Sequence, residues 1–520
     1  MTRLSNLLAT TALAASALAA PLAAETVVGI SVSPSSMDPQ LGALGSDEAY
    51  YRHIYDPLIL SNADLQPSPA LITDWTVIDD TTWEMKLREG VKFHDGSDFD
   101  AKDVIATLDR LPNVPGSDGL NAEKMSAIKE VEVLSPHLIR LHTEVPTPDL
   151  LTLLYTAFVI SDELPEDVTT DMFNSGEAAI GTGPYQFVGW DRGQALRLKA
   201  NPDYWDGAPA AEEVTMREMP DDSARVAALL AGDVDIIDGV PPLDVNRLKE
   251  NDEISIVSGP SARTIFLQFN TVPDQAPMLT AKDGSPFDTN PLRDVKVREA
   301  ISLAVNQPLI IERIMEGLAT PINQPVPSGF MGTDDTLGPV EYDPERAKAL
   351  LAEAGYEDGF AMTLGCPNDR YVNDAKICQA VGQMLGAVGI DLTVDTMPKS
   401  VYFERMRAGE FPFFMLGWGN AQGNSGSMLR SVLVTKDADA GFGSWNGGFS
   451  YPEGDEQLKM AEQLMDLDER DAELAKATRM FMDQHALIPL HAQNVIVALR
   501  GDLGYSTMPD EAFRAHNITK

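Results

Sequence analysis

The densest group of residues able to do acid–base or metal chemistry is the stretch "EGVKFHDGSDFDAKD", Glu89–Asp103. It brings His94, Asp95, Asp98, Asp100 and Asp103 close together in the chain. A histidine beside an aspartate could act as a general base, and the further carboxylates could complete a metal site. The same residues also have ordinary structural work. Leu87–Phe93 reads as a strand with Val91 and Phe93 on one face. Asp95-Gly96 is a turn dipeptide. Asp100 is placed to cap a helix, with Asp103 in its first turn, where free N–H groups favour an acid. Val104, Ile105 and Leu108 give that helix an apolar face.

No other stretch carries a catalytic signature. "GNSGS" at Gly423 has the wrong spacing for a nucleophile elbow, because Gly426 follows Ser425 directly. "GTGPYQ" at Gly181 begins like a dinucleotide loop, but Gln186 stands where the third glycine belongs. There is no His-Glu-x-x-His and no Gly-Lys-Ser/Thr phosphate loop. The seven histidines are scattered, none three or four residues from another. These absences weigh against hydrolase, NTPase and dehydrogenase readings. A secreted hydrolase using His94 and Asp95 is the alternative from another class.

The elements that must position any site change character along the chain. Thr26–Val32 reads as a buried strand. Between Trp75 and Arg140 short strands dominate, with "TTWEMKL" and "LIRLHTEV" alternating. Later, strands and helices alternate. "DDSARVAALLAG" is a helix with acids at its start and Gly232 as its stop. "DPERAKALLAEAG" has Asp343 as cap, Pro344 in the first turn and Gly355 past the end. From Ala361 the reading is "AMTLGC" strand, helix 375–388, "IDLTVDT" strand, a helix capped by Ser400, then "PFFMLGW" strand. This β-α-β-α-β order implies parallel strands covered by helices. Helices at 455–467 and 469–484 lead to a last strand, "NVIVALR".

The first 24 residues, with Arg3, a Leu/Ala run and small residues before Glu25, read as a secretory signal peptide. Cleavage is expected after Ala24, with Ala19 as second choice. No cysteine follows the cut, so a lipid anchor is not expected. The formal net charge of −40 would repel nucleic acid and anionic membranes. Only Cys366 and Cys378 are present. In an oxidising compartment they are compatible with either a disulfide or two buried thiols. With no nearby histidine they do not make a zinc site.

The opening stretch has a second meaning. "LREGVKFHDGSDFDAKDVIATLDR" resembles a signature of the extracellular solute-binding proteins of the peptide/nickel/opine class, which serve bacterial ABC importers. "GTGPYQFVGWDRGQALRLKANPDYWDGAPA", "LLAGDVDII", "PLRDVKVREAISLAVN" and "YDPERAKALLAEAGY" are similar to the same family, in the expected order. The resemblance spans nearly the whole chain after the signal peptide. It implies an α/β fold of two hinged lobes that close over a ligand, with an extra β-rich subdomain on the first lobe. The implied division is 25–58 and 185–269 in the first lobe, 59–184 in the extra subdomain, 270–481 in the second lobe, and 482–520 returning to the first. It further implies a periplasmic monomer without cofactor or metal that catalyses nothing. Such a protein captures a small solute, first of all a short or modified peptide, and hands it to a membrane permease. An opine-like conjugate, a sugar or a chelated metal are the alternatives.

The resemblance also directs attention to particular residues. Peptide-binding relatives anchor the ligand amine with an acid a few residues after a "GW" strand end. Here Asn420, Ala421 and Gln422 stand near that place, and none is charged. Relatives hold a carboxylate with an arginine just before the helix that starts near Ala375, where this chain has Arg370. Trp418, Trp445 and Tyr371 are candidates for stacking on the ligand. Ser46 and Asp47 lie in the first-lobe loop that approaches ligand in relatives. Asn270 is expected at a crossover between lobes, and Gly181, Gly183 and Pro184 at structural turns.

Overall fold

Two strands longer than all others organise the molecule. The computed structural model describes residues 25–520 except 43–44, 118, 273–275, 421 and 438–441. The expected signal peptide therefore lies outside the described residues. In chain order, β1 is Thr26–Ile30 and α1 Gly45–Ile54. An antiparallel sheet follows, built from β2 (Ile72–Asp79), β3 (Thr82–Leu87), β4 (Ile128–Ser135) and β5 (Leu138–Thr143), in the order β2-β3-β5-β4. Helix α2, Ala101–Arg110, packs beside it. Strands β6 (Tyr185–Asp191), β7 (Ala195–Ala200) and β8 (Glu213–Glu218) return to β1. Next come α3 (Asp222–Ala231), β9 (Ile236–Ile237) and the first long strand, β10 (Ile254–Phe269).

The rest of the chain carries α4 (Pro344–Glu353), β11 (Phe360–Pro367), α5 (Asp374–Gly386), β12 (Ile390–Met397), α6 (Lys399–Arg407) and β13 (Phe413–Gly419). It closes with α7 (Pro452–Ala461), α8 (Leu467–Asp483) and the second long strand, β14 (Leu487–Arg500). β11 pairs in parallel with both β12 and β13, as the β-α-β-α-β reading requires.

One twelve-stranded sheet runs through the described molecule; its main path begins with the short strand Leu279–Thr280 and continues β11-β13-β10-β14-β9-β1-β8-β7-β6. β10 and β14 pair with each other along most of their length. The start of β10 and the end of β14 serve the half containing β1. The end of β10 pairs with β13 and serves the other half. The register slips between Pro260 and Thr264, so the passage between halves falls inside the strands. Asn270, expected at a crossover, lies just past the end of β10. Each half has its own apolar core, one around Val28, Tyr50 and Leu198, the other around Leu267, Leu364 and Ile377.

Local signals explain most boundaries. Asp221 accepts from Ala224 N at the start of α3, and Gly232 ends that helix in the left-handed region at φ 80°. Asp343 accepts from Glu345 N and Arg346 N before Pro344. Two expectations differ. α6 starts at Lys399 after Pro398, so Ser400 sits within the first turn and is not the cap. β3 stops at Leu87, and the chain reverses through Gly90 at φ 77°, so residues 88–93 are not a continuous strand.

Candidate functional site

The acid-rich stretch around His94 is bound up in structure. The His94 ring lies 3.0 Å from the Gly183 carbonyl through Nε2, and its backbone N–H donates to Gly181 O. Burial lowers its pKa. The Asp95 carboxylate accepts from Ser97 N and Oγ at 3.0 and 2.7 Å. Asp100 and Asp103 form a reciprocal capping box on α2. Gly181 and Gly183 are pressed on the Ile54 carbonyl, which a β-carbon at either would strike.

A roomy cavity lies elsewhere. It has a volume of about 900 Å³ and opens where β1, β10 and β14 meet the loop after β11. That loop, Asp369–Asn373, presents Arg370 and Tyr371 to it. Several tethers hold the loop. Asp374 Oδ2 accepts the backbone N–H groups of Arg370 and Tyr371, both at 3.0 Å. Asn373 adopts φ 57° and donates to Ile314 O at 2.8 Å. Lys399 N donates to Asp369 Oδ1 at 2.6 Å. A Cys366–Cys378 disulfide joins the end of β11 to α5 and brackets the loop on both sides. Of the two states left open for the cysteines, the bonded one is present.

Arg370 is exposed to the cavity, and its guanidinium makes no ion pair or hydrogen bond with a described residue. It lies 5.2 Å from the Tyr371 ring centre. Tyr371 is nearly buried, with its hydroxyl 3.4 Å from Gly417 O. Burial raises its pKa, and the neighbouring Arg370 and Arg263 oppose that rise.

Tyr371 and Arg263 take up room that β13 leaves free. Alternate residues of a strand share a face, and in "GWG" the two glycines face Tyr371 and Arg263. A β-carbon on Gly417 would meet the Tyr371 ring at 2.5 Å, and one on Gly419 the Arg263 guanidinium at 3.1 Å. Trp418 therefore points the other way. It packs on the core of Phe266, Tyr402 and Leu429, and its indole N–H has no partner among the described residues. Trp445 packs edge-on against Phe403, with Arg407 4.4 Å above its ring. Neither tryptophan lines the cavity.

On the opposite wall, Gly45, Ala49 and Tyr50 of α1 line the cavity. Asp47 does not; its buried carboxylate accepts from Ser35 N at 2.9 Å and from Ser35 Oγ. Ser46 lies in α1, and its side chain is outside the described residues. Tyr50 Oη donates to Val32 O at 2.6 Å. Arg225 lines this wall but uses its donors on the carbonyls of Met219, Asp238 and Gly239 and on Asp222. Asp238 accepts from Ser31 N and Oγ at 2.7 and 3.0 Å, and burial raises its pKa against the pull of Arg225. These groups shape the wall, with their polar atoms largely engaged inside the protein.

The sequence reading missed the glycine face, Arg263 and the first-lobe wall. The alternation in "GWG" was a usable signal for the first. Arg263, a charge inside the apolar run "SARTIFLQF", was one for the second.

Comparisons with known proteins bear on the family and the fold. The model of the bacterial extracellular solute-binding proteins, family 5 Middle, matches residues 66–440. The glutathione-binding protein GsiB of Salmonella paratyphi A is 28% identical over 519 residues, covering 97% of each chain. Its namesake from Escherichia coli K12 is 27% identical over 517 residues, covering 97% of this chain and 96% of its own. Among solved structures, HbpA2 of Haemophilus parasuis superposes with a TM-score of 0.81 at 22% identity, covering 95% of this chain and 99% of its own. The periplasmic binding protein DppA of Helicobacter pylori, in complex with the peptide STSA, gives 0.70 at 25% identity, covering 95% and 98%.

Proposed function

The chain belongs to the bacterial extracellular solute-binding proteins of family 5, and on that premise we propose that it captures a short or modified peptide for an ABC importer. The cavity between the two lobes is the binding site, and Arg370 takes a ligand carboxylate. The observation that carries this reading is the unpaired guanidinium of Arg370 on a tethered loop facing a cavity of about 900 Å³. A planar fork of donors suits a carboxylate. Tyr371 supplies an aromatic surface beside it. The glutathione- and peptide-binding relatives support a ligand of this class and size. The tryptophans and Asp47, which the cavity excludes, are not part of the proposal.

In this reading the protein is exported by its first 24 residues, works as a periplasmic monomer and hands its ligand to a membrane permease. The lobes exchange near Pro260–Thr264 in β10 and near Ala492–Asn494 in β14. Residues 59–184 form the extra subdomain. Native mass spectrometry of the protein purified from its own periplasm tests the ligand class. A co-purified peptide or peptide conjugate is expected. A sugar or a metal chelate in its place would overturn the assignment.

A further inference from the structure

Beside Tyr371 the cavity holds a second charged element. Arg263, on β10 opposite Gly419, lays its guanidinium over that glycine. Its Nε and Nη2 donate to the Glu511 carboxylate at 3.1 and 2.7 Å. Ser261 Oγ donates to the same carboxylate at 3.0 Å. Arg263 and Glu511 both line the cavity and remain partly open to it, with side chains 20% and 30% exposed. Nη1 of Arg263 makes no hydrogen bond with a described residue. A carboxylate has about four acceptor sites and a guanidinium five donors, so both retain capacity for a ligand. Glu511 also sits at φ 65°, a region costly for a residue with a side chain.

The other cavity acids are differently placed. Asp510 is held by Arg514, Asp238 by Ser31 and Asp222 by Arg225, and Asp369 accepts from Lys399 N. The run after β13 offers no charge. Asn420 is buried, and its amide is spent on Asn424 O and Ser427 Oγ. A ligand ammonium held in this cavity needs a carboxylate, because an unpaired buried charge is strongly unfavourable.

We propose that Arg263 and Glu511 form a second subsite that takes the zwitterionic α-amino-acid end of a ligand whose other carboxylate lies on Arg370. The ligand ammonium binds Glu511 and its α-carboxylate binds Arg263. The pair is neutral overall but has its charges separated, which complements an amino acid carrying both charges on one carbon and does not reward a simple anion. The favoured class is thus a peptide-like molecule with a free α-amino-acid end and a remote carboxylate, as in a side-chain-linked peptide. This rests on the proposed peptide-binding cavity.

The test is calorimetric titration of the full mature chain with three probes. Glutathione carries the whole zwitterion, glutaryl-cysteinylglycine lacks the ammonium, and 4-aminobutyryl-cysteinylglycine lacks the α-carboxylate. The wild-type protein is expected to bind glutathione at least tenfold more tightly than either truncated probe. Glu511→Gln should lose at least tenfold for glutathione and little for glutaryl-cysteinylglycine. Equal wild-type affinity for all three probes overturns the proposal, and this comparison stands even where the variant fails to fold. Equal losses for both probes in Glu511→Gln overturn it too, marking the pair as a structural clasp. If Arg370→Ala leaves glutathione affinity intact, the parent reading fails while the probe series still judges the pair. No binding of any probe by the wild-type protein overturns both.

Discussion

The ring of Tyr371 occupies the space that a side chain at Gly417 would fill, with Cε1 2.5 Å from the position of the missing β-carbon. Gly417→Ala should therefore push Tyr371 and Ile265 aside. A misfit of this kind costs roughly 1–3 kcal/mol. Both the melting temperature and ligand affinity should fall. In Tyr371→Ala/Gly417→Ala the two stability losses should be well short of additive. Full additivity in thermal unfolding would refute the contact.

Arg370→Ala should leave stability within about 0.5 kcal/mol, because the guanidinium holds nothing in the protein. Ligand affinity should fall by about 2–5 kcal/mol if the residue pairs with a desolvated carboxylate. Calorimetry and a melting curve on the same preparation separate the two readouts. An unchanged dissociation constant removes Arg370 from the site.

Breaking the Cys366–Cys378 bond should cost about 2–4 kcal/mol of stability by freeing the unfolded chain. It should also weaken ligand binding, since the loop bearing Arg370 and Tyr371 lies between the two cysteines. Cys378→Ser, compared with wild type with and without reductant, checks both effects. Loss of stability with affinity unaltered would show that the remaining tethers suffice to hold the loop.

His491 is fully buried on β14 with neither ring nitrogen bonded to a described residue, and burial lowers its pKa to about 4. The unfolded chain binds its proton near pH 6.5, the folded chain only near 4. Stability from keeping this ring neutral is thus complete above pH 6.5 and is lost as pH falls towards 4, by up to ~3 kcal/mol. His491→Leu should make the stability curve shallower over that interval. Chemical denaturation at a series of pH values measures the slope, and an unchanged slope would discard the assignment.

His94→Ala should leave ligand affinity as it is and lower stability by roughly 1–3 kcal/mol, since it removes the ring that bridges Gly183 O and Gly181 N, although Asn201 still donates to Gly183 O. A large loss of affinity with the melting temperature preserved would restore a functional role to the acid-rich stretch.

Local chemistry made much of the fold legible. Asp343 with Pro344, and Asp221 with Gly232, announce helix ends through backbone groups a few residues away. The parallel strands around α5 follow from alternating periodicities. The cavity lining was legible only where a residue is placed by its own loop, as with Arg370 and Tyr371. Trp418 was the conspicuous residue of "GWG", yet the pleat turns it inward and leaves the opposite face to Gly417 and Gly419, against Tyr371 and Arg263. Arg263 and Glu511 are 248 positions apart, and nothing near Glu511 in sequence announces its partner. Their meeting depends on the C-terminal segment folding back, where Ala262 N donates to Pro509 O.

β10 and β14 pass unbroken through both halves of the large sheet. Any swing of one half against the other must therefore be a flexure of that ribbon. A group seated at the bend has almost no lever arm, whereas a group far out on either half sweeps a long arc. Arg263 stands beside the slip in the ribbon, close to Tyr371 on the loop that follows β11. In the proposed binding role, Arg263 is therefore placed to keep its position while such a ribbon flexes.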